Sequence, residues 1–251
     1  MKKTLFAAAL VIALTLTAGA AEKRPSYWQH RTGPDLPPGK PIVPALCNPC
    51  LFYSGDLNPN DGQADGFSDE NTLLVTGSAT YAAVNIPTGI TASLTGILFN
   101  IQADANFDPQ NATYDIRQGV SSGNGGTDVA TGTGDITVAT TGRSFVGLTE
   151  FSVLVTIPTT TLLGGQEYWF NLTPQCTNGA EDGSCYVGRI FLSNTTEMAN
   201  EQFGHASPPY SLFLNSAYFG YTYEPWCDLT EVNGQCRFAS FGLVGTAKAT
   251  K

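Results

Sequence analysis

The stretch Ile90-Thr91-Ala92-Ser93-Leu94-Thr95-Gly96-Ile97-Leu98-Phe99-Asn100-Ile101 decides how this chain is read. Ile90, Ala92 and Leu94 keep one alternating phase, and Ile97, Phe99 and Ile101 keep the opposite one. A period of two marks a half-buried strand, because successive side chains leave a strand on opposite faces. Thr95 and Gly96 stand at the phase switch. A glycine at such a point predicts a β-bulge, or a strand passing between sheets.

The same period recurs further along. Phe151, Val153, Val155 and Ile157 alternate in Glu150–Ile157, and Tyr168, Phe170 and Leu172 alternate in Glu167–Thr173. In Ala112–Gln118 the inward set is Tyr114 and Ile116, which leaves Asp115 and Arg117 side by side on the other face. Further strands are expected at 72–76, 80–86, 136–140, 184–192, 211–222 and 238–244. Gly119–Gly134 reads as a glycine-rich hairpin or crossover loop; it lacks the Lys-Ser/Thr ending of a phosphate loop. Outside the N-terminus only Thr195–Phe203 has room for a turn or two of helix. About ten strands with 27 glycines and 15 prolines to turn them predict an all-β fold, an antiparallel two-sheet sandwich of jelly-roll type.

The ends have a different composition. Lys2 and Lys3 precede the apolar run Leu5–Leu16, and Ala18-Gly19-Ala20 supplies small residues for cleavage. This predicts a secretory signal over residues 1–20, too short for a membrane span. Residues 21–50 form a proline-rich leader with Pro25, Pro34, Pro37, Pro38, Pro41 and Pro44, where neither helix nor inner strand is favoured. The domain is expected over 51–247 and a frayed tail over 248–251. The expected location is secreted or periplasmic, with no membrane insertion after the signal is removed.

Export makes disulfides the default for the six cysteines. Spacing suggests Cys47 with Cys50, Cys176 with Cys185 and Cys227 with Cys236, although six cysteines allow fifteen pairings. Cys47-Asn48-Pro49-Cys50 has redox spacing, but its proline-rich surroundings favour a structural bridge.

Charge narrows the partners. Residues 51–247 hold four basic side chains, all arginine, and nineteen acidic ones, so 4 − 19 = −15. That sign repels phosphate backbones, and nucleic acid is set aside as a partner. It favours cations, Ca²⁺ above all. The candidate ligands are Asp56, Asn58, Asn60, Asp61, Asp65 and Asp69, of which the first three hold the one-three-five spacing of a calcium loop. Asp61 stands where that loop has glycine, and no glutamate follows at position twelve. The competing reading is a surface loop whose Asp and Asn side chains bond their own backbone.

A wider pattern is also present. Tyr53-Ser54-Gly55-Asp56, Ala79-Thr80-Tyr81, Tyr114-Asp115-Ile116-Arg117, Thr141-Gly142-Arg143, Glu167-Tyr168-Trp169-Phe170 and Asn215-Ser216-Ala217-Tyr218 follow one another in that order. This resembles the secreted bacterial β-sandwich proteins that often end in a PEP-CTERM sorting tail. The resemblance covers roughly residues 51–245 and implies the fold and export rather than an activity. The Pro-Glu-Pro tail is not seen here, so anchoring is not among the expectations.

Catalytic patterns are thin. Two histidines, His30 and His205, rule out a three-histidine zinc site. Glu150, Glu167 and Glu224 are the glutamates nearest strands, and a carboxylate-dependent hydrolase (a glycosidase or a glutamic-type peptidase) is the alternative function. Tyr221 and Tyr223 share strand parity, and Trp226 follows closely. An exposed aromatic strip stacks on sugar rings; the same strip turned inward is core. The expectation is a secreted, non-catalytic binding or structural protein. Its ligand contacts are Tyr221, Tyr223 and Trp226, its partner a polysaccharide or extracellular matrix, and Ca²⁺ a structural ion.

Overall fold

The structure is a computed structural model that describes residues 43–57, 69–70, 78–145, 147–176, 185–188, 190–195, 204–205, 212–216, 220–225 and 238–250. These residues are all-β, with no helix among them. The strands are β1 (Cys50–Tyr53), β2 (Asp69–Glu70), β3 (Ser78–Asn85), β4 (Ile90–Ala103), β5 (Asn111–Gln118), β6 (Thr127–Phe145), β7 (Leu148–Leu163) and β8 (Glu167–Gln175). They continue as β9 (Phe191–Leu192), β10 (Asn194–Thr195), β11 (Gly204–His205), β12 (Leu212–Ser216), β13 (Tyr221–Pro225), β14 (Phe238–Ala239) and β15 (Phe241–Ala249). The expected strand at 72–76 and the turn of helix after Thr195 fall outside the described residues.

Thirteen strands join in one antiparallel sheet, whose main path runs β1-β15-β4-β7-β6-β5-β8-β3-β12-β13. The layers of the expected sandwich are joined through β6 in this one sheet, and β10 and β14 pair in a separate two-stranded sheet. β6 makes the join: Thr127–Asp135 pair with β5, and Ile136–Phe145 pair with β7. The sheet folds back at this join. The rings of Phe170 on β8 and Phe241 on β15 lie 6.3 Å apart. Those strands are five steps apart along the path, which is about 24 Å in a flat sheet. Both halves thus line one core, holding Phe52, Phe99, Phe241, Ile116, Phe170 and Leu172.

The phase switch in β4 behaves as its glycine predicts. The β4–β7 register slips between Leu94 and Gly96, and the β15–β4 register slips between Val244 and Gly245. The extra residue restores the phase, so Ala92 and Leu94 face the same core as Ile97, Phe99 and Ile101. An added Cβ at Gly96 would stand 2.9 Å from the Leu154 side chain and 3.2 Å from the Val155 carbonyl. A side chain there would force Leu154 to turn and crowd the Val155 carbonyl, so glycine suits the bulge.

Several boundaries differ from the sequence expectation. Thr127–Gly134 is strand rather than loop. Its glycines are used for contact: a Cβ on Gly132 would stand 2.9 Å from the Tyr114 hydroxyl oxygen. The single strand expected over 211–222 is two, β12 and β13, paired antiparallel. Among the described residues of the expected 184–192 strand only β9 is regular, and Tyr186 makes an isolated bridge to Asp108. β15 continues through Lys248 and Ala249, whose partners are Thr91 and Ile90.

Two of the suggested disulfides are present. Cys47–Cys50 and Cys176–Cys185 have Cα separations of 4.7 Å and 5.6 Å. Cys227 and Cys236 fall outside the described residues. No helix among the described residues is long and apolar enough to cross a membrane.

Candidate functional site

Alternation along the strands sends one set of side chains to the core and the other set outward. Each half of the sheet gathers a cluster on its outward set.

On the β8 half the outward row is Ala83, Trp169 and Arg117, opposite one another across β3, β8 and β5. Tyr81, Ala83, Val120 and Trp169 form a small buried cluster there. Tyr81 donates its hydroxyl to Asp115 at 2.9 Å. Arg117 reaches Asp115 through Nε at 2.5 Å and Asp128 through Nη2 at 2.6 Å. Its Nη1 donates to the Gly125 carbonyl at 3.0 Å. The guanidinium carbon stands 5.8 Å from the Tyr81 ring centre and 5.7 Å from that of Tyr223. Burial opposes the charge on Arg117, but the hydrogen bond and charge of Asp115 outweigh it and raise the pKa above the usual arginine value. Burial, then the charge of Asp115, pushes the Tyr81 hydroxyl well above its ordinary pKa. One Asp115 oxygen, Oδ1, is buried without a hydrogen-bond partner.

Tyr223 joins this cluster by an unusual route. Two residues apart on an undisturbed strand, Tyr221 and Tyr223 would share a face. Instead Tyr221 packs against the main core and Tyr223 against the outer cluster. The shared-parity expectation fails because Tyr223 has φ +47° and the β12–β13 register slips between Leu214 and Ser216. A left-handed backbone at a side chain with a Cβ costs on the order of 1–2 kcal/mol. The Tyr223 ring lies 5.4 Å from that of Tyr81 and so close to Gly125 that a Cβ there would stand 2.6 Å from its hydroxyl oxygen. The Gly123 amide ties the loop to β13 by donating to the Thr222 carbonyl at 3.1 Å. Both tyrosines of β13 are half-buried, and Trp226 falls outside the described residues.

On the other half the outward row is Asn100 and Gln102 of β4 opposite Ser152 and Glu150 of β7. Residues 53–56 lie against this row. Asn100 donates to the Tyr53 hydroxyl at 2.8 Å, and Ser152 donates to Asn100 at 2.6 Å. Tyr53 in turn donates to Asp56 at 2.6 Å. Burial, then the hydrogen bond to Asp56, holds the Tyr53 hydroxyl well above its ordinary pKa. Arg143 links two acids, with Nε 2.5 Å from Glu150 and Nη1 3.2 Å from Asp56. Burial opposes its charge, but Glu150 and Asp56 outweigh burial and raise its pKa. Glu150 is fully buried, and its Oε1 has no hydrogen-bond partner.

The sequence-derived residues therefore separate. Asp56 is the one proposed calcium ligand whose side chain is described, and its Oδ1 is committed to Arg143 and Tyr53. Asn58, Asn60, Asp61 and Asp65 fall outside the described residues, and Asp69 is placed by its backbone on β2. Among the described residues no three His, Cys, Asp or Glu side chains converge on a metal position. Those residues do not by themselves make a calcium site. Glu150 and Glu167 lie on opposite outward faces. Glu167 accepts from the Trp169 indole at 2.9 Å, and burial raises its pKa against that hydrogen bond. Glu224 is half-buried on β13, opposite Leu214. His205 stands on β11 beside Val84.

Gly119 to Gly123 carry the Gly-x-Ser-x-Gly spacing of a nucleophile elbow. Here Ser121 and Asn124 close a tight turn through paired backbone bonds of 2.9 Å and 2.8 Å, and β6 follows. An elbow needs a strand, a strained serine and a helix. Arg117 and Tyr81 escaped the sequence search for a ligand site. The visible signal was the Asp115–Arg117 pair on the polar face of β5, but the distant partners Tyr81 and Tyr223 arrive only through the fold.

No protein-family model matches this chain, and no curated protein matches it.

Proposed function

We propose that this chain is an exported, non-catalytic binding or structural protein of the extracellular space, with a glycan as its ligand. The observation that supports this best is Tyr223, a half-buried aromatic on a left-handed backbone, gathered with Tyr81 and Arg117 on an outward face. Strain at one residue is kept where function uses it. The Tyr223 ring offers the flat apolar surface, and the exposed Asp128 and Asn124 the polar groups, that sugar rings use. Export rests on the N-terminal pattern together with the two disulfides. Kinship with the PEP-CTERM-associated secreted proteins belongs to the same proposal, carried by the residues that resemble them.

A polysaccharide pull-down tests the reading. Wild type should be retained on at least one matrix, and Tyr223→Ala or Trp226→Ala should weaken retention about tenfold, the loss of one stacked ring. Retention on no matrix, or retention indifferent to both changes, sinks it. Structural Ca²⁺ on the Asp56–Asp69 segment is proposed from the Asp56, Asn58, Asn60 spacing. An ion that binds the folded state alone raises its stability. The melting temperature should then fall in EDTA and recover with added Ca²⁺; no change in either direction removes the ion from the proposal.

A further inference from the structure

We infer that the Tyr223–Arg117 cluster selects uncharged, hydroxyl-rich glycans and rejects acidic ones, with Arg117 and Asp128 as the residues that set this preference. The inference rests on the glycan-binding reading above and adds the class of glycan.

The argument begins with the donors of Arg117. An arginine that captures a uronate or a sulfate must offer two N–H groups in a fork. Here Nε is given to Asp115, Nη2 to Asp128 and Nη1 to the Gly125 carbonyl. The guanidinium also lies over the rings of Tyr81 and Tyr223. Each of its three nitrogens is thus engaged within the protein, three of its five N–H groups are committed, and its charge is matched by two carboxylates. Two carboxylates against one cation leave the cluster with one negative charge, which repels a ligand carboxylate at contact distance. The excess of acids over residues 51–247 has the same sign, but salt screens it beyond about 8 Å. The local set of three charges therefore decides.

What remains open to a ligand is suited to hydroxyl groups. The Asp128 side chain is 54% exposed and only accepts hydrogen bonds, so it takes donors such as sugar hydroxyls. Asn124 is exposed and spends its side-chain oxygen on the Gly126 amide at 2.9 Å, which leaves its NH₂ to donate. Between them lie the half-buried Tyr223 ring and the bare backbone of Gly125. Acceptor, donor and apolar surface stand together with no unpaired cation.

The experiment measures retention of the full chain on cellulose, chitin and mannan, which are uncharged, and on alginate and polygalacturonate, which are acidic, in 0.05 and 0.3 M salt. Wild type is expected to bind an uncharged matrix with little salt dependence and to pass through the acidic ones. Asp128→Asn, at a site exposed enough for the fold to be kept, returns part of Arg117 to the ligand. It should raise retention on alginate roughly two- to fivefold, the value of one exposed ion pair. Wild type bound to alginate as well as to any uncharged matrix would overturn the inference while leaving glycan binding intact. So would Asp128→Asn without gain on the acidic matrices. Retention on none of the five matrices overturns the glycan reading itself, and this inference with it.

Discussion

Glu150 shows how a single residue trades one large term against another. Its carboxylate is fully buried, which is costly, and one oxygen has no partner. Arg143 and the Thr141 hydroxyl, which donates at 2.6 Å, offset that cost at the other oxygen. Removing one member of a buried pair costs more than the pair is worth, because a lone charge is left behind. Glu150→Gln should therefore lose about 3 kcal/mol in urea unfolding. Asp56→Asn, at the more exposed end of Arg143, should lose about 1 kcal/mol. A Glu150→Gln protein as stable as wild type would mean that desolvation outweighs the ion pair. Glu167 works in the opposite sense. Burial raises its pKa in the folded state, so it stabilises the fold below its unfolded pKa, and that stability is lost as pH rises through the folded value. Glu167→Gln keeps an oxygen for Trp169 and removes the titration. Its melting temperature should exceed that of wild type at pH 7, and the gap should close towards pH 4. A constant gap across that range would show that the ionisation is not what burial opposes.

At the scale of elements, glycine positions set the geometry. Gly134 lies where β6 changes partners, and a Cβ there would collide with the Thr156 carbonyl. That contact is backbone and has no rotamer to escape into. Gly134→Ala should lose about 2 kcal/mol, the scale of an overpacked interior, whereas Gly142→Ala, with open space around it, should lose less than half as much despite its positive φ. Equal losses at the two positions would remove the close approach as the cause. The strands themselves were legible in the sequence. Period-two alternation marked β4, β5, β7 and β8, because a half-buried strand writes its two faces into consecutive residues. The N-terminal part of β6 was not legible. Thr131, Gly132, Thr133 and Gly134 carry little apolar signal, and they form strand because neighbours need their small size. The turn between β12 and β13 was hidden for another reason: apolar residues run on through it. The outer cluster was half legible. Asp115 and Arg117 stood out on their own strand, but no local pattern discloses that Tyr223 takes a left-handed backbone and leaves the face of Tyr221.

For the whole molecule, Phe241 is the point where the two halves meet most directly. Its ring lies 5.2 Å from Phe52, 5.3 Å from Phe99 and 6.3 Å from Phe170 across the core. Phe241→Ala should cost about 4 kcal/mol. The halves share β6 and one core, so unfolding should remain a single transition, with tryptophan fluorescence and far-ultraviolet dichroism coincident. Separate midpoints would show that the halves fold independently. The shared strand has a bearing on solubility too. In any open sheet the outermost strand leaves amides and carbonyls ready to recruit another chain. Among the described residues, each part of β6 has a ladder partner on one side only. The exposed side chains along it are Thr127, Asp128, Thr131, Thr133, Asp135, Thr137, Ala139, Thr140 and Ser144, nearly all polar, with Gly132 and Gly134 interleaved. An incoming strand meets a margin that turns from one layer to the other at Gly134, slips register again between Thr140 and Ser144, and carries a charge near the turn. A bent, hydrophilic margin of this kind is a poor template for aggregation, and the corner that joins the two halves also guards the protein against its own kind.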